Sequence, residues 1–272
     1  MEPILELEHV SYTYPDGPKA VEDLNVRIAK GERAAVLGGN GAGKSTFFLL
    51  ACGILQPDEG CVKCGGRQMT QKKKDLLEQR RRIGVVFQEA ENQILAVTVE
   101  AEVSFGPMNL CLPSAEVARR TTGALSKMGL QDYGGRSPQY LSGGEKKRVT
   151  IADILAMEPD VILFDEPTAS LDPENVVRLE RTLDQLSETG IALLVSTHDV
   201  DFAARFAARG LVFSRGHLIA DGAMTKIFAD AALLAQAGLR KPYLYQAAEA
   251  LRPGGAAYPM TIEQFLRWKD AD

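Results

Sequence analysis

Apolar and polar residues alternate along residues 4–10 and again along 25–29, the period-two pattern of half-buried strands. Residues 33–37 form a short, mostly apolar run bounded by glycines, as a central buried strand should be, and a helix is expected from 43 to about 54. Further buried strands are expected at 83–87, 161–164 and 192–196, and helical patterns at 114–128, 145–157 and 173–188. Strands alternating with helices imply an α/β layout with a largely parallel sheet. Residues 91–141 carry no convincing buried strand and read as a mostly helical insertion beside that sheet. Past Asp221 the pattern turns helical again, at 224–237, 243–251 and 262–269, with Arg252-Pro253-Gly254-Gly255 separating the last two. No internal repeat or low-complexity tract interrupts the order.

Composition narrows the picture. A chain of 272 residues, 45% hydrophobic and 25% charged, is long enough for one large globular domain with an appendage. The net charge of -5 argues against duplex nucleic acid as a partner, which needs a basic face. Lys72-Lys73-Lys74 and Arg80-Arg81-Arg82 form a local basic run, read as a solvated helical or loop surface. The first ten residues lack the layout of a signal peptide, and the longest apolar stretch, 46–55, falls short of the ~20 residues a membrane span needs. The expectation is a cytoplasmic chain that reaches a membrane only through a partner. Of four cysteines, Cys61 and Cys64 form a single C-x-x-C. A structural zinc site needs four ligands, so the thiols are read as reduced and uninvolved.

Candidate chemistry begins at Gly38-Gly39-Asn40-Gly41-Ala42-Gly43-Lys44-Ser45, which fits G-x-x-x-x-G-K-[ST] between a strand and a helix. Glycines let backbone N–H groups turn inward around a phosphate, and the helix N-terminus adds the positive end of its dipole. Lys44 can then reach the β- and γ-phosphates while the Ser45 hydroxyl takes Mg²⁺. This much implies only a nucleotide site, since GTPases and small-molecule kinases share it.

Val161-Ile162-Leu163-Phe164-Asp165-Glu166 is an apolar strand ending in two acids. Acids there are costly unless they meet a cation. Asp165 is expected to hold Mg²⁺ through water, and Glu166 to polarise the attacking water. Leu141-Ser142-Gly143-Gly144-Glu145 opens a helix in which Val149, Ala152 and Leu155 recur at three-residue steps, making a second anion-binding helix end.

Leu-Ser-Gly-Gly-Glu resembles the signature of ABC ATPases, and the other motifs of that family follow in order. Tyr14, rather than Tyr12, resembles the aromatic that stacks on adenine. Gln88 resembles the Q-loop glutamine that links Mg²⁺ and water to a transmembrane partner. Ser170-Leu171-Asp172 resembles the D-loop, and His198 the switch histidine that meets the γ-phosphate. The resemblance covers about residues 3–222 and implies ATP hydrolysis with ATP and Mg²⁺. Its catalytic residues are Glu166, His198 and Gln88, with Mg²⁺ held through Ser45, Gln88 and Asp165. Its nucleotide-binding residues are Tyr14, Gly38, Asn40, Gly41, Ala42, Gly43, Lys44, Ser45 and Thr46. In such proteins the signature (Leu141, Ser142, Gly143, Gly144 and Glu145 here) acts in trans, closing over the γ-phosphate held by a second subunit. The implied fold is a P-loop NTPase of ABC type: a mostly parallel sheet, an antiparallel β part, a helical subdomain over about 91–157 and a helical C-terminal extension. The nucleotide-binding domain then covers 1–222, with 223–272 as a dimerisation element. Gly39 departs from the family, which often has Pro or another side chain there.

Finer features resemble the ATPase of energy-coupling-factor (ECF) importers, especially the cobalt/nickel type. They are Phe87-Gln88 before Asn92-Gln93, Phe105-Gly106-Pro107, Leu155-Ala156-Met157-Glu158-Pro159, and Ser196-Thr197-His198-Asp199. Cys111 stands where relatives commonly carry glycine. The resemblance implies a second ATPase subunit, identical or a paralogue, a transmembrane coupling protein and a substrate-binding membrane protein. It places the chain peripherally at the cytoplasmic face of the membrane. Two rival readings stay open: the ATPase of a vitamin-specific ECF or other importer, and a non-transport ABC ATPase of the iron–sulfur assembly type.

Overall fold

The structure, a computed structural model of the chain, describes residues 3–15, 17–169, 171–255 and 258–270. The chain opens with β1 (Pro3–Thr13), β2 (Lys19–Ala29), β3 (Arg33–Leu37), α1 (Lys44–Ala51), β4 (Glu59–Cys64), β5 (Arg67–Gln68), α2 (Lys73–Arg82) and β6 (Ile83–Val86). A helical stretch follows: α3 (Ala90–Gln93), α4 (Val99–Asn109), α5 (Ser114–Lys127) and α6 (Gly143–Ala156). Next come β7 (Val161–Asp165), α7 (Pro173–Ser187), β8 (Ala192–Thr197), α8 (Val200–Phe206), β9 (Arg209–Ser214) and β10 (His217–Ala223). The chain closes with α9 (Met224–Ala229), α10 (Ala231–Ala237), α11 (Tyr243–Leu251) and α12 (Ile262–Asp270).

Six strands form the central sheet in the order β10-β9-β3-β8-β7-β6, parallel except for β10. A smaller antiparallel sheet, β2-β1-β4-β5, lies apart from it. The near-continuous apolar runs of β3, β7 and β8 arise because both faces of the central sheet are covered. Alternate residues divide between two cores. Ala34, Val36, Leu163 and Leu194 pack with Phe47, Phe48 and the antiparallel sheet. Ala35, Leu37, Phe164 and Val195 pack with the helices, a core that continues into the C-terminal segment through Leu234, Tyr245 and Ala248. At ~1.5–3 kcal/mol for each large apolar side chain buried, these two layers hold the parallel strands in register.

The structure corrects two expectations. The helix expected over 224–237 is two helices, broken at Asp230, whose carboxylate accepts from Leu233 N–H at 2.9 Å and caps the second. The strands β4, β5, β9 and β10 are additional to those read from periodicity. The basic run is a solvated helical surface as read: Lys72 precedes α2, the rest lie on it, and all are exposed except Arg82, which is half-buried and reaches Asp160 at 2.5 Å. Residues 91–141 are helices and turns, with no strand among the described residues. No helix is long and apolar enough to cross a membrane among the described residues.

Cys61 and Cys64 lie three positions apart on β4, so they face opposite sides of the sheet, and all four cysteines are free. Burial pushes the Cys64 thiol up to about 12. No cluster of three or more His, Cys, Asp or Glu suited to a metal occurs among the described residues. Cys111 has φ +55°, which explains why glycine is favoured there.

Candidate nucleotide site

The parallel register brings the site together. Leu37 pairs with Thr197, Asp165 with Ser196, and Val86 with Phe164, so β3, β8, β7 and β6 end side by side. The segments leaving those ends carry the phosphate loop, His198, the Asp165-Glu166 pair and Gln88. Ligands in open parallel sheets bind at such carboxyl ends.

Between β3 and α1 the chain turns through Gly38 (φ +146°), Gly41 (φ +73°) and Gly43 (φ +106°). A Cβ on Gly38 would lie 2.4 Å from the Phe213 carbonyl oxygen, and one on Gly43 2.8 Å from that of Ala20. Only glycine fits either place. The helix start has no side-chain cap, so its first N–H groups are left for a ligand. Lys44 Nζ donates to the carbonyls of Gly38 (2.7 Å) and Gly39 (3.1 Å) and lies 3.8 Å from Glu166 Oε1. Burial pushes its ammonium below the usual lysine range, opposed by the charges of Glu166 and Asp165.

Asp165 accepts from the Ser196 hydroxyl, and Glu166 N–H donates to Ser196 O (3.1 Å) and Oγ (3.2 Å). Glu166 adopts φ +43°, a conformation costing ~1–3 kcal/mol for a side chain with a Cβ. Strain of this kind, held by two hydrogen bonds at a strand end, aims the carboxylate at the cleft. His198 Nδ1 lies 3.0 Å from Glu166 Oε2.

An open cleft of about 400 Å³ is lined by Tyr14, residues 40–46, Gln88, Asp165 and Glu166. The Tyr14 hydroxyl lies 3.4 Å from Thr46 Oγ1, whereas Tyr12 packs with the core and meets Tyr14 edge-on at 5.0 Å. Ser45, Gln88 and Asp165 bring oxygen donors to this one cleft, a set that suits Mg²⁺ beside a phosphate. Gly38 does not line the cleft; its carbonyl accepts from Lys44, which does.

The signature lies elsewhere. Among the described residues, none of Leu141, Ser142, Gly143, Gly144 or Glu145 lines the cleft, and neither do Leu171 and Asp172. Ser142 caps α6 through a reciprocal box: its Oγ accepts from Glu145 N–H (3.3 Å), and Glu145 accepts from Ser142 N–H (2.7 Å). That backbone N–H is the main cause holding the Glu145 carboxyl below the usual range. Ser142 and Gly143 are exposed, so the helix end faces outward. Asp172 caps α7 by accepting from Asn175 N–H at 2.8 Å. Ser170 lies outside the described residues.

Three residues near the site carry contacts that the sequence reading did not assign to them. Gln93 accepts from Phe87 N–H (3.1 Å) and donates to Val85 O (3.2 Å), and Ser196 orders both acids. Lys147, buried on α6, donates to Phe87 O (2.9 Å) and Gln88 O (2.7 Å), and burial pushes its ammonium down to about 8. Its signal was available: Gly144, Lys147, Ile151 and Leu155 fall on one helical face, and all four are buried. Gly39, the departure noted above, has no positive φ, and its N–H donates to Ala237 O at 3.2 Å.

A glycine cradle at the strand ends, acids aimed into the same cleft and an exposed, capped helix start define a P-loop nucleotide hydrolase with a signature helix. The ABC transporter family matches residues 21–169. The Energy-coupling factor transporter ATP-binding protein EcfA of Methanothermobacter thermautotrophicus is 46% identical over 263 residues, 96% of this chain and 85% of that protein. The Cobalt import ATP-binding protein CbiO of Rhodobacter capsulatus is 46% identical over 242 residues, 89% of this chain and 86% of that protein. Among solved structures, cbiO1 of Clostridium perfringens, described as part of the ABC transporter complex cbiONQ, has a TM-score of 0.77 at 36% identity. It covers 86% of this chain and 94% of its own. A dimeric ATP-binding cassette in a post-hydrolysis state with ADP and Pi has a TM-score of 0.72 at 30% identity, over 81% of this chain and 98% of its own. The chain belongs to the ABC transporter ATP-binding family, energy-coupling-factor type, and is an ATPase.

Proposed function

We propose that the chain hydrolyses ATP to power an ECF-type importer of cobalt or nickel ions, working at the cytoplasmic face of the membrane. The observation that carries the ATPase part is the convergence of the phosphate loop, Gln88, Asp165 and Glu166 on one cleft. Lys44 leaves the two loop carbonyls to meet the β- and γ-phosphates, and Tyr14 stacks on the adenine. Glu166 polarises the attacking water, with His198 placed 3.0 Å from it to meet the γ-phosphate. Mg²⁺ held by Ser45, Gln88 and Asp165 would supply charge neutralisation across the transferring phosphoryl group.

Ser142 and Gly143 are exposed outside their own chain's cleft, which supports a site completed by the signature of a second ATPase subunit. The dimeric relative supports the pairing of two such subunits. Residues 1–222 then form the nucleotide-binding domain, with the signature on a helical subdomain over about 91–157, and 223–272 a helical extension that helps hold the pair together. The membrane partners are a transmembrane coupling protein and a substrate-binding membrane protein.

Support for cobalt comes from the Rhodobacter relative, named as a cobalt import ATP-binding protein. The Methanothermobacter relative is named for energy coupling without a substrate, which supports the ATPase role and leaves the choice of cargo to the uptake test. Purification of the tagged chain from membranes, followed by identification of what accompanies it, tests the assembly. Uptake of labelled Co²⁺ and Ni²⁺ by the reconstituted complex then tests the cargo. Recovery without any integral membrane protein overturns the transport reading, and uptake of neither ion overturns the cargo.

A further inference from the structure

Lys147 is 4% exposed and no carboxylate among the described residues forms an ion pair with it, although the charges of Asp165 and Glu89 act on it from farther off, an unusual state for a lysine. Its ammonium is satisfied instead by main-chain oxygens of the turn that leaves β6, those of Phe87 and Gln88. Charge-assisted hydrogen bonds of this kind are among the stronger ones, and a desolvated ammonium that released them would be left unpaired. The contact therefore behaves as a rigid link. Gln93 holds the same turn through Phe87 N–H and Val85 O, so the peptide carrying Gln88 has little freedom of its own.

The other end of the link is the signature helix. Lys147 lies one turn beyond the Ser142 cap on α6. On the same helix Gly144 packs against Asn175 so closely that a Cβ there would lie 2.3 Å from its Oδ1, and Asn175 in turn bonds Asp172. The start of α6 is thus gripped between the turn bearing Gln88 and the segment bearing Asp172.

We propose that Lys147 is a positioning residue for ATP hydrolysis: it ties the main chain of Gln88 to the signature helix. When Ser142 docks on the opposite subunit's nucleotide, that tie carries Gln88 into place at its own subunit's site. Closure at one site is thereby read at the other. The inference rests on the role proposed above for Gln88.

The test compares Lys147→Met, Lys147→Arg, Gln88→Ala and the Lys147→Met/Gln88→Ala double variant in the purified full-length chain. MgATP hydrolysis, binding of a fluorescent ATP analogue and thermal unfolding are measured on each. Lys147→Met keeps the side-chain length without the ammonium; should it not fold, Lys147→Gln, too short to reach both carbonyls, replaces it. Lys147→Met is expected to bind nucleotide within about twofold of the wild type and to lose roughly tenfold or more in kcat, with KM little changed. The double variant should match Gln88→Ala alone, because the tie acts through Gln88, and Lys147→Arg should recover most of the rate. Losses that add in the double variant, a raised KM at unchanged kcat, or a wild-type kcat for Lys147→Met beside an impaired Gln88→Ala overturn the tie. A wild-type kcat for Gln88→Ala instead overturns the role of Gln88 and the proposal with it.

Discussion

Glu166→Gln separates the charge of the proposed general base from its shape. Glutamine is isosteric, and the backbone at φ +43° with its bonds to Ser196 burdens both side chains alike, so the fold should be retained. Two effects follow from the charge. The carboxylate lies 3.8 Å from Lys44 Nζ, a gross attraction of about 4 kcal/mol at an effective dielectric of about 20, much of it offset by desolvation. Removing it frees the Lys44 ammonium for phosphates and takes a like charge away from the incoming anion. Both act in the same direction, so ATP affinity should hold or tighten. Turnover should drop by roughly 10² or more, about 2.7 kcal/mol of barrier, the scale of losing a general base. The lost contact with the exposed His198 should cost little stability, ~0–1 kcal/mol. Phosphate release under steady-state and single-turnover conditions gives the rate, and gel filtration with ATP shows whether an ATP-bound dimer accumulates. A variant that turns over near the wild-type rate, with no trapped dimer, refutes Glu166 as the base.

Three further outcomes are expected. Mixing a Lys44→Ala chain with a Ser142→Arg chain should restore one intact composite site, seen as ATP occlusion that neither homodimer shows; heterodimers that occlude no more than the separate variants contradict action in trans. Gly39→Pro removes the N–H that meets Ala237 O at 3.2 Å and should loosen the C-terminal segment by about 1 kcal/mol, read as faster proteolysis after 223, while unchanged proteolysis counts against that contact. Burial, then the charge of Glu102, pushes the Asp153 carboxyl up to about 7. Its contribution to stability is therefore full below pH ~4 and lost as pH rises through about 7. At ~1.36 kcal/mol per pH unit that is at most ~4 kcal/mol, and about 2 given its partial exposure. Asp153→Asn should flatten chemical-denaturation stability between pH 4 and 8, and an unaltered pH profile refutes the assignment.

The chemistry-bearing segments were legible because each rests on local rules. The glycines of the phosphate loop answer to φ and Cβ contact, the acids end an apolar strand, and Ser142 with Glu145 writes a capping box into positions three apart. Strands β3, β7 and β8 were equally plain, since burial on both faces leaves unbroken apolar runs. Other features depend on partners distant in sequence. Strand β4 is half exposed, and what makes it a strand is pairing with β1. The break at Asp230 leaves the apolar period intact and appears only in the cap it forms. Parallel register alone places Gln88, Asp165, Glu166 and the phosphate loop around one cleft. Tertiary packing also decides the fate of Lys147 and Gly39: sequence shows a lysine in a basic run and a glycine in a loop. Folding supplies the carbonyls of Phe87, Gln88 and Ala237 that they meet, because a backbone oxygen carries no signature in the identity of its residue.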